Sequence, residues 1–170
     1  MTVYYKGFPQ SDREEYLHMI NVDELEQRVK KIMPEGAYYY IASGSENEWT
    51  WRNNTAAFNH WQIIPRALTD MENPSTATEF MGMKLKTPVM ISPIACHGIA
   101  HTMAEVDTQK GAAAAGALFA SSTYANKSVE DIAKAAPDAP RFFQLYLSKD
   151  WKFNEMVFDA IKKTGYKGIY

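Results

Sequence analysis

The chain holds a single cysteine, Cys96, in 170 residues, so no internal disulfide can form. Packing and hydrogen bonds must hold the fold, and such cysteine usage agrees with a reducing compartment, so a cytoplasmic location is expected. Long apolar runs are missing as well. None approaches the roughly 18 residues that mark a membrane-spanning helix. The opening "MTVYYKGFPQSDREEY" has no basic segment followed by an apolar one and is not expected to act as a secretory signal. Charge of one sign is also scarce: Lys and Arg total 18 against 20 Asp and Glu, a net charge of −2. With the signs interspersed, neither nucleic acid nor an acidic membrane surface is an expected partner.

What is present describes a water-facing α/β chain. Hydrophobic residues make up 46% of it and aromatics 13%, ten of them Tyr, while mean hydropathy is −0.38. Residues 1–20 read as an extended arm. From Val22 the spacing of Leu25, Val29 and Ile32 predicts a helix capped by Asp23 and ended by Pro34. A second helix is expected over Gly36–Ala42, and "ENEWTWRNNTAAFNHW" continues as helix, with Trp49, Trp51, Phe58 and Trp61 read as core packing. This gives a leader over 1–75. Over 76–170 the rhythm changes: a hairpin turning at Gly82, then strands at Pro88–Ala95, Ala117–Tyr124 and Arg141–Ser148. Helices that close on Gly116, start at Ser128 and end at Gly165 alternate with them, and Lys167 opens a fourth strand. Buried strands alternating with helices imply parallel pairing.

Two architectures satisfy that order, a (β/α)8 barrel and an open doubly wound sheet. An open dinucleotide-binding sheet calls for G-x-G-x-x-G after its first strand. Here "PIACHGIAH" follows instead, which favours the barrel. A complete barrel takes about 200 residues or more, so the N-terminal part of one is expected.

The third strand poses a question in "RFFQLYLSKD": Gln144 and Tyr146 interrupt an apolar run and, two apart, share a face. The same parity groups Ile91, Pro93 and Ala95 on the first strand, and Leu118, Ala120, Ser122 and Tyr124 on the second. Small and polar groups thus gather at the C-terminal ends, where barrel enzymes keep their chemistry. Such a patch suits a planar heteroaromatic ligand, since the Gln144 amide both donates and accepts. Polar atoms simply satisfied in a core are the other reading. His97, His101 and Glu105, at i, i+4 and i+8, would align for a metal only on a continuous helix, which Gly98 and Pro93 argue against; no metal is expected. Cys96 beside His97 reads as a lining residue, because neighbours at a strand end point apart. Lys127 stands too close to Tyr124 for a helical Tyr/Lys pair.

"YYYIASGSENEWTWRNN", "ISPIACHGIAH", "LFASSTY" and "RFFQLYLSKD" follow one another in the order and spacing of a known family. From Val22 to Tyr170 the chain resembles the FMN-dependent L-2-hydroxy acid oxidases. The resemblance implies FMN as cofactor, with Ile94 and Ala95 in its wall, the Ala95 amide near flavin N5, and Ser122 and Gln144 bonding the ring. It implies Tyr40 and Tyr124 for the substrate and Tyr146 as the phenol near the substrate hydroxyl. Cys96 departs from the family's usual Ala. The implied reaction oxidises L-lactate to pyruvate and reduces O2 to H2O2, with glycolate or another 2-hydroxy acid as an alternative substrate. The family's base His, its paired Arg and its flavin-side Lys are expected beyond Tyr170, and none of His18, His60, His97 or His101 matches that motif. A homotetramer is implied for the full-length enzyme. A non-catalytic half-barrel used for binding or assembly is the reading from another class.

Overall fold

In a computed structural model the chain is described over residues 20–69 and 72–170. The arm expected over residues 1–20, and His18 with it, falls outside these residues but for Ile20. The chain divides between Pro74 and Ser75 into two compact units.

The first unit is helical: α1 (Val22–Ile32), α2 (Glu35–Ala42) and α3 (Trp49–Ala56), followed by a 3₁₀ turn at Ala57–His60. Asn21, rather than the expected Asp23, caps α1, its Oδ1 accepting from Glu24 N–H at 2.9 Å. The helix simply starts earlier, which leaves Asp23 and Glu24 in the first turn and Lys30 and Lys31 in the last, matching the helix dipole at both ends. Tyr38 on α2 donates to Glu26 on α1 at 2.8 Å, and the Lys30 ammonium lies 5.3 Å from the Tyr38 ring centroid. The Trp stripe is not core: Trp49, Trp51, Phe58 and Trp61 are all exposed. Trp49 and Trp51 are two apart, and residues so spaced on a helix do not share a face.

The second unit opens with an antiparallel hairpin, β1 (Thr78–Phe80) and β2 (Met83–Leu85). Both residues of its turn have positive φ, Met81 at 49° and Gly82 at 76°. That is the two-residue geometry whose twist matches the flanking strands. Then come β3 (Met90–Ile91), α4 (Glu105–Ala115), β4 (Leu118–Ser122), α5 (Val129–Ala135), β5 (Arg141–Gln144), α6 (Trp151–Lys163) and β6 (Gly168–Ile169). The four later strands pair in parallel in chain order, β3-β4-β5-β6. An unreversed order is how a barrel grows; a doubly wound sheet would switch direction. Gly116, at φ 68°, closes α4, and Ser128 and Asp150 cap α5 and α6. At Gly168 a Cβ would stand 2.8 Å from the Phe142 ring, so only glycine lets β6 lie this close.

Strand alternation decides the two faces. Leu118, Ala120 and Phe142 pack with Leu85 of the hairpin. Phe119 packs with Ala112 and Ile132 of the helices, and Phe143 with Ala133, Ile161 and Tyr166. Arg141, buried at the start of β5, donates through one guanidinium nitrogen to the carbonyls of Ala136, Pro137 and Ala139, and through another to Thr164 O at 2.6 Å. It thereby satisfies carbonyls at the C-terminal ends of both α5 and α6.

Tyr166 gives this core a pH dependence. Burial pushes its phenol above the ordinary value of 10.0, while the hydrogen bond from Ser121 and the Arg141 charge pull the other way. A raised folded pKa contributes stability that is complete below the unfolded value and is lost as pH rises through the folded one. The thermal midpoint should therefore fall as pH climbs past 10, and fall less steeply in Tyr166→Phe. Parallel melting curves for the two proteins against pH would show the Tyr166 contribution to be absent.

Candidate active site

β4 runs out at Ser122 and β5 at Gln144, and the register sets these two residues side by side. By alternation with Leu118, Ala120 and Phe142 they lie on the hairpin-side face. The Ser122 hydroxyl donates to Gln144 Oε1 at 3.2 Å, and Thr123 N–H donates to the same oxygen at 3.4 Å. The Thr123 hydroxyl donates to the Gln144 carbonyl at 2.6 Å and accepts from Tyr146 N–H at 2.9 Å. One threonine thus fixes both the end of β5 and the start of the loop after it.

Tyr124 and Tyr146 lie past their strand ends, so the parity expected of them does not apply. The loops bring them together all the same. Their ring centroids are 5.5 Å apart, tilted 43°, and both rings are more than half exposed. The first strand needs a larger correction. β3 covers only Met90–Ile91, and Ile91, paired with Phe119, faces the helices. Met90, paired with Leu118, takes the face expected of Ile91. Pro93 has no N–H for a ladder, and the chain leaves the sheet there. Ile94, Ala95 and Cys96 are therefore loop, held where the Cys96 N–H donates to Tyr124 O at 3.0 Å. Tyr40 belongs to the other unit, on α2, with its ring exposed.

The metal alignment does not form. His97 starts a 3₁₀ turn, Ala104 breaks the path with φ 49°, and Glu105 begins α4. The His97 ring turns to the helix side, its Nδ1 2.9 Å from Thr108 Oγ1 and its centroid 6.0 Å from that of Phe119. Among the described residues no cluster of His, Cys, Asp and Glu could hold a metal ion.

The donor set fits FMN. Among the described residues Gln144 Nε2 and the Ala95 N–H make no hydrogen bond, and the Gln144 amide stands beside the Ser122 hydroxyl. The two unpaired groups are neutral N–H donors, matched to acceptor atoms of a flavin ring, while the Ser122 hydrogen is already given to Gln144 Oε1. A cleft of about 770 Å³ opens at the opposite ends of the strands around Arg141, Lys163 and Lys167, away from every expected site residue. Sequence reasoning passed over Thr123 and Asn154 and weighed Glu105 only as a metal ligand. Thr123 sits where a longer strand would have turned it away, and Glu105 and Asn154 are both fully buried.

Known proteins agree with this fold. Residues 29–170 match the family model of the FMN-dependent dehydrogenases. The chain is 78% identical over 169 residues to the L-lactate oxidase of Lactobacillus jensenii, covering 99% of this chain and 41% of that protein. Glycolate oxidase 1 of Zea mays is 39% identical over 149 residues, 88% of this chain and 40% of that one. A crystal structure of a Pediococcus acidilactici protein assigned as a lactate oxidase superposes with a TM-score of 0.91 at 50% identity, covering 96% of this chain and 45% of its own. The chain thus spans about two-fifths of the length of these curated relatives, and its sheet is the N-terminal part of their barrel. On the match across residues 29–170, the chain belongs to the FMN-dependent dehydrogenase family.

Proposed function

We propose that this chain supplies the N-terminal part of the active site of an FMN-dependent L-2-hydroxy acid oxidase that converts L-lactate to pyruvate and O2 to H2O2. The observation that carries the reading is the Ser122–Gln144–Thr123 network at the strand ends, with the Tyr124 and Tyr146 rings against each other beside it. FMN, when bound, supplies the two-electron acceptor that passes those electrons on to O2. Ser122 and Gln144 hold the flavin edge, Ile94 and Ala95 form its wall, and the Ala95 N–H is offered to it. Tyr146 orients the substrate hydroxyl through its phenol. Tyr124 binds the substrate, and the carboxylate role of Tyr40 rests on the resemblance of its motif alone. High identity to an L-lactate oxidase favours lactate over glycolate. The same reading makes the assembled enzyme a cytoplasmic homotetramer.

The test joins this chain to the C-terminal portion of the Lactobacillus jensenii enzyme that it does not cover. The chimera should bind FMN and release peroxide from L-lactate, with glycolate a poorer substrate, while the 170-residue chain alone releases none. Peroxide from the chain alone would favour a self-sufficient site. A chimera that folds but leaves FMN unbound would favour the non-catalytic half-barrel.

A further inference from the structure

Glu105 is fully buried, yet it forms none of the described ion pairs. Its carboxylate is surrounded by backbone donors from two different loops. Oε1 accepts from His97 N–H at 3.1 Å, and both oxygens accept from Asn126 N–H at 3.1 Å. Oε2 also accepts from Lys127 N–H at 3.2 Å. A second tie runs parallel: Gly98 N–H donates to Asn126 Oδ1 at 2.6 Å. A buried carboxylate costs several kcal/mol unless such donors meet it, so the loops and the side chain hold one another. The first loop is also strained, with Cys96 at φ 58° and Ala104 at φ 49°. Strain of this kind persists only where the surroundings over-determine it.

The two loops clasped by Glu105 are the ones that present Ile94–Cys96 and Tyr124. We propose that Glu105 is a positioning residue, setting the distance between the flavin-wall loop after β3 and the substrate loop after β4. This rests on the flavin and hydroxy-acid reading of those loops. Glu105 itself stands at the start of α4, packed inside, and acts only through the backbones it holds.

Glu105→Gln keeps the shape but offers an NH2 where N–H groups need an acceptor. In the full 170-residue chain, amide exchange at His97, Asn126 and Lys127 should speed up about tenfold or more. In the FMN-loaded chimera the flavin visible spectrum should shift, the FMN dissociation constant should rise about tenfold and KM for L-lactate about fivefold, with kcat changing less than KM. Asn126→Ala, which cuts only the parallel tie, should show the same signature more weakly and covers the case in which Glu105→Gln does not fold. Unchanged exchange at the three amides, or a lowered melting temperature with spectrum and KM intact, overturns the proposal. A wild-type chimera that binds no FMN overturns the underlying reading and this inference with it; a working chimera indifferent to both variants overturns this inference alone.

Discussion

Phe119→Ala should unfold much of the second unit. Phe119 is fully buried near the start of β4 and packs against Ala112 and Ile132, with Ile91 and Ala125 at the rim of the same cluster. Truncating a buried Phe removes its transfer free energy and leaves a cavity, together about 3–5 kcal/mol. Domains of this size have only about 5–15 kcal/mol to lose. Among the described residues β4 lies inside the sheet, between β3 and β5, so the loss is felt on both sides of it. Urea denaturation followed by circular dichroism should place the midpoint far below that of the wild type. A midpoint within about a tenth of the wild-type value would mean that the α4–β4–α5 cluster is not what holds this unit together.

Gln144→Leu should leave the fold in place and remove flavin binding from the chimera. Leu has nearly the volume of Gln, and the position is only half-buried, so the packing cost is small. The chemistry is what goes. Ser122 Oγ and Thr123 N–H lose their shared acceptor, and Ser122 is itself buried. Leaving a buried donor unpaired costs about 1–3 kcal/mol, and the bonds to the ligand are lost as well, so FMN affinity should fall about 100-fold. Quenching of flavin fluorescence on titration measures this directly. Affinity within twofold of wild type, with the circular dichroism spectrum unchanged, would remove Gln144 from the cofactor wall. The Ser122–Gln144 contact would then be a satisfied polar pair in the core.

The two variants separate what kind of information each residue carries. Phe119 is legible as core from its run alone, since β4 is buried along its whole length and its neighbours are apolar or small. Gln144 is legible as anomalous, because an amide in such a run must find partners. Which partners it finds is a matter of register. Only the pairing of Ala120 with Phe142, and so of Ser122 with Gln144, brings them within hydrogen-bond distance.

Local chemistry in the sequence was enough to determine the alternation of strands and helices, the glycine stops at Gly116 and Gly165, the Ser128 cap, the hairpin at Gly82 and the gathering of small and polar residues at the strand ends. Each of these depends on residues within a turn or two of one another, where propensity and periodicity act. Tertiary structure decided the rest. It cut β3 to Met90–Ile91, because Pro93 takes the chain out of the ladder, so Ala95 lies on a loop and not on a strand face. It drew the rings of Tyr124 and Tyr146 together through Thr123, past the point where alternation has meaning. It turned Glu105, one acidic residue among 20 Asp and Glu, into a buried clasp. Its three donors sit 8, 21 and 22 positions away, a span over which no local pattern carries information.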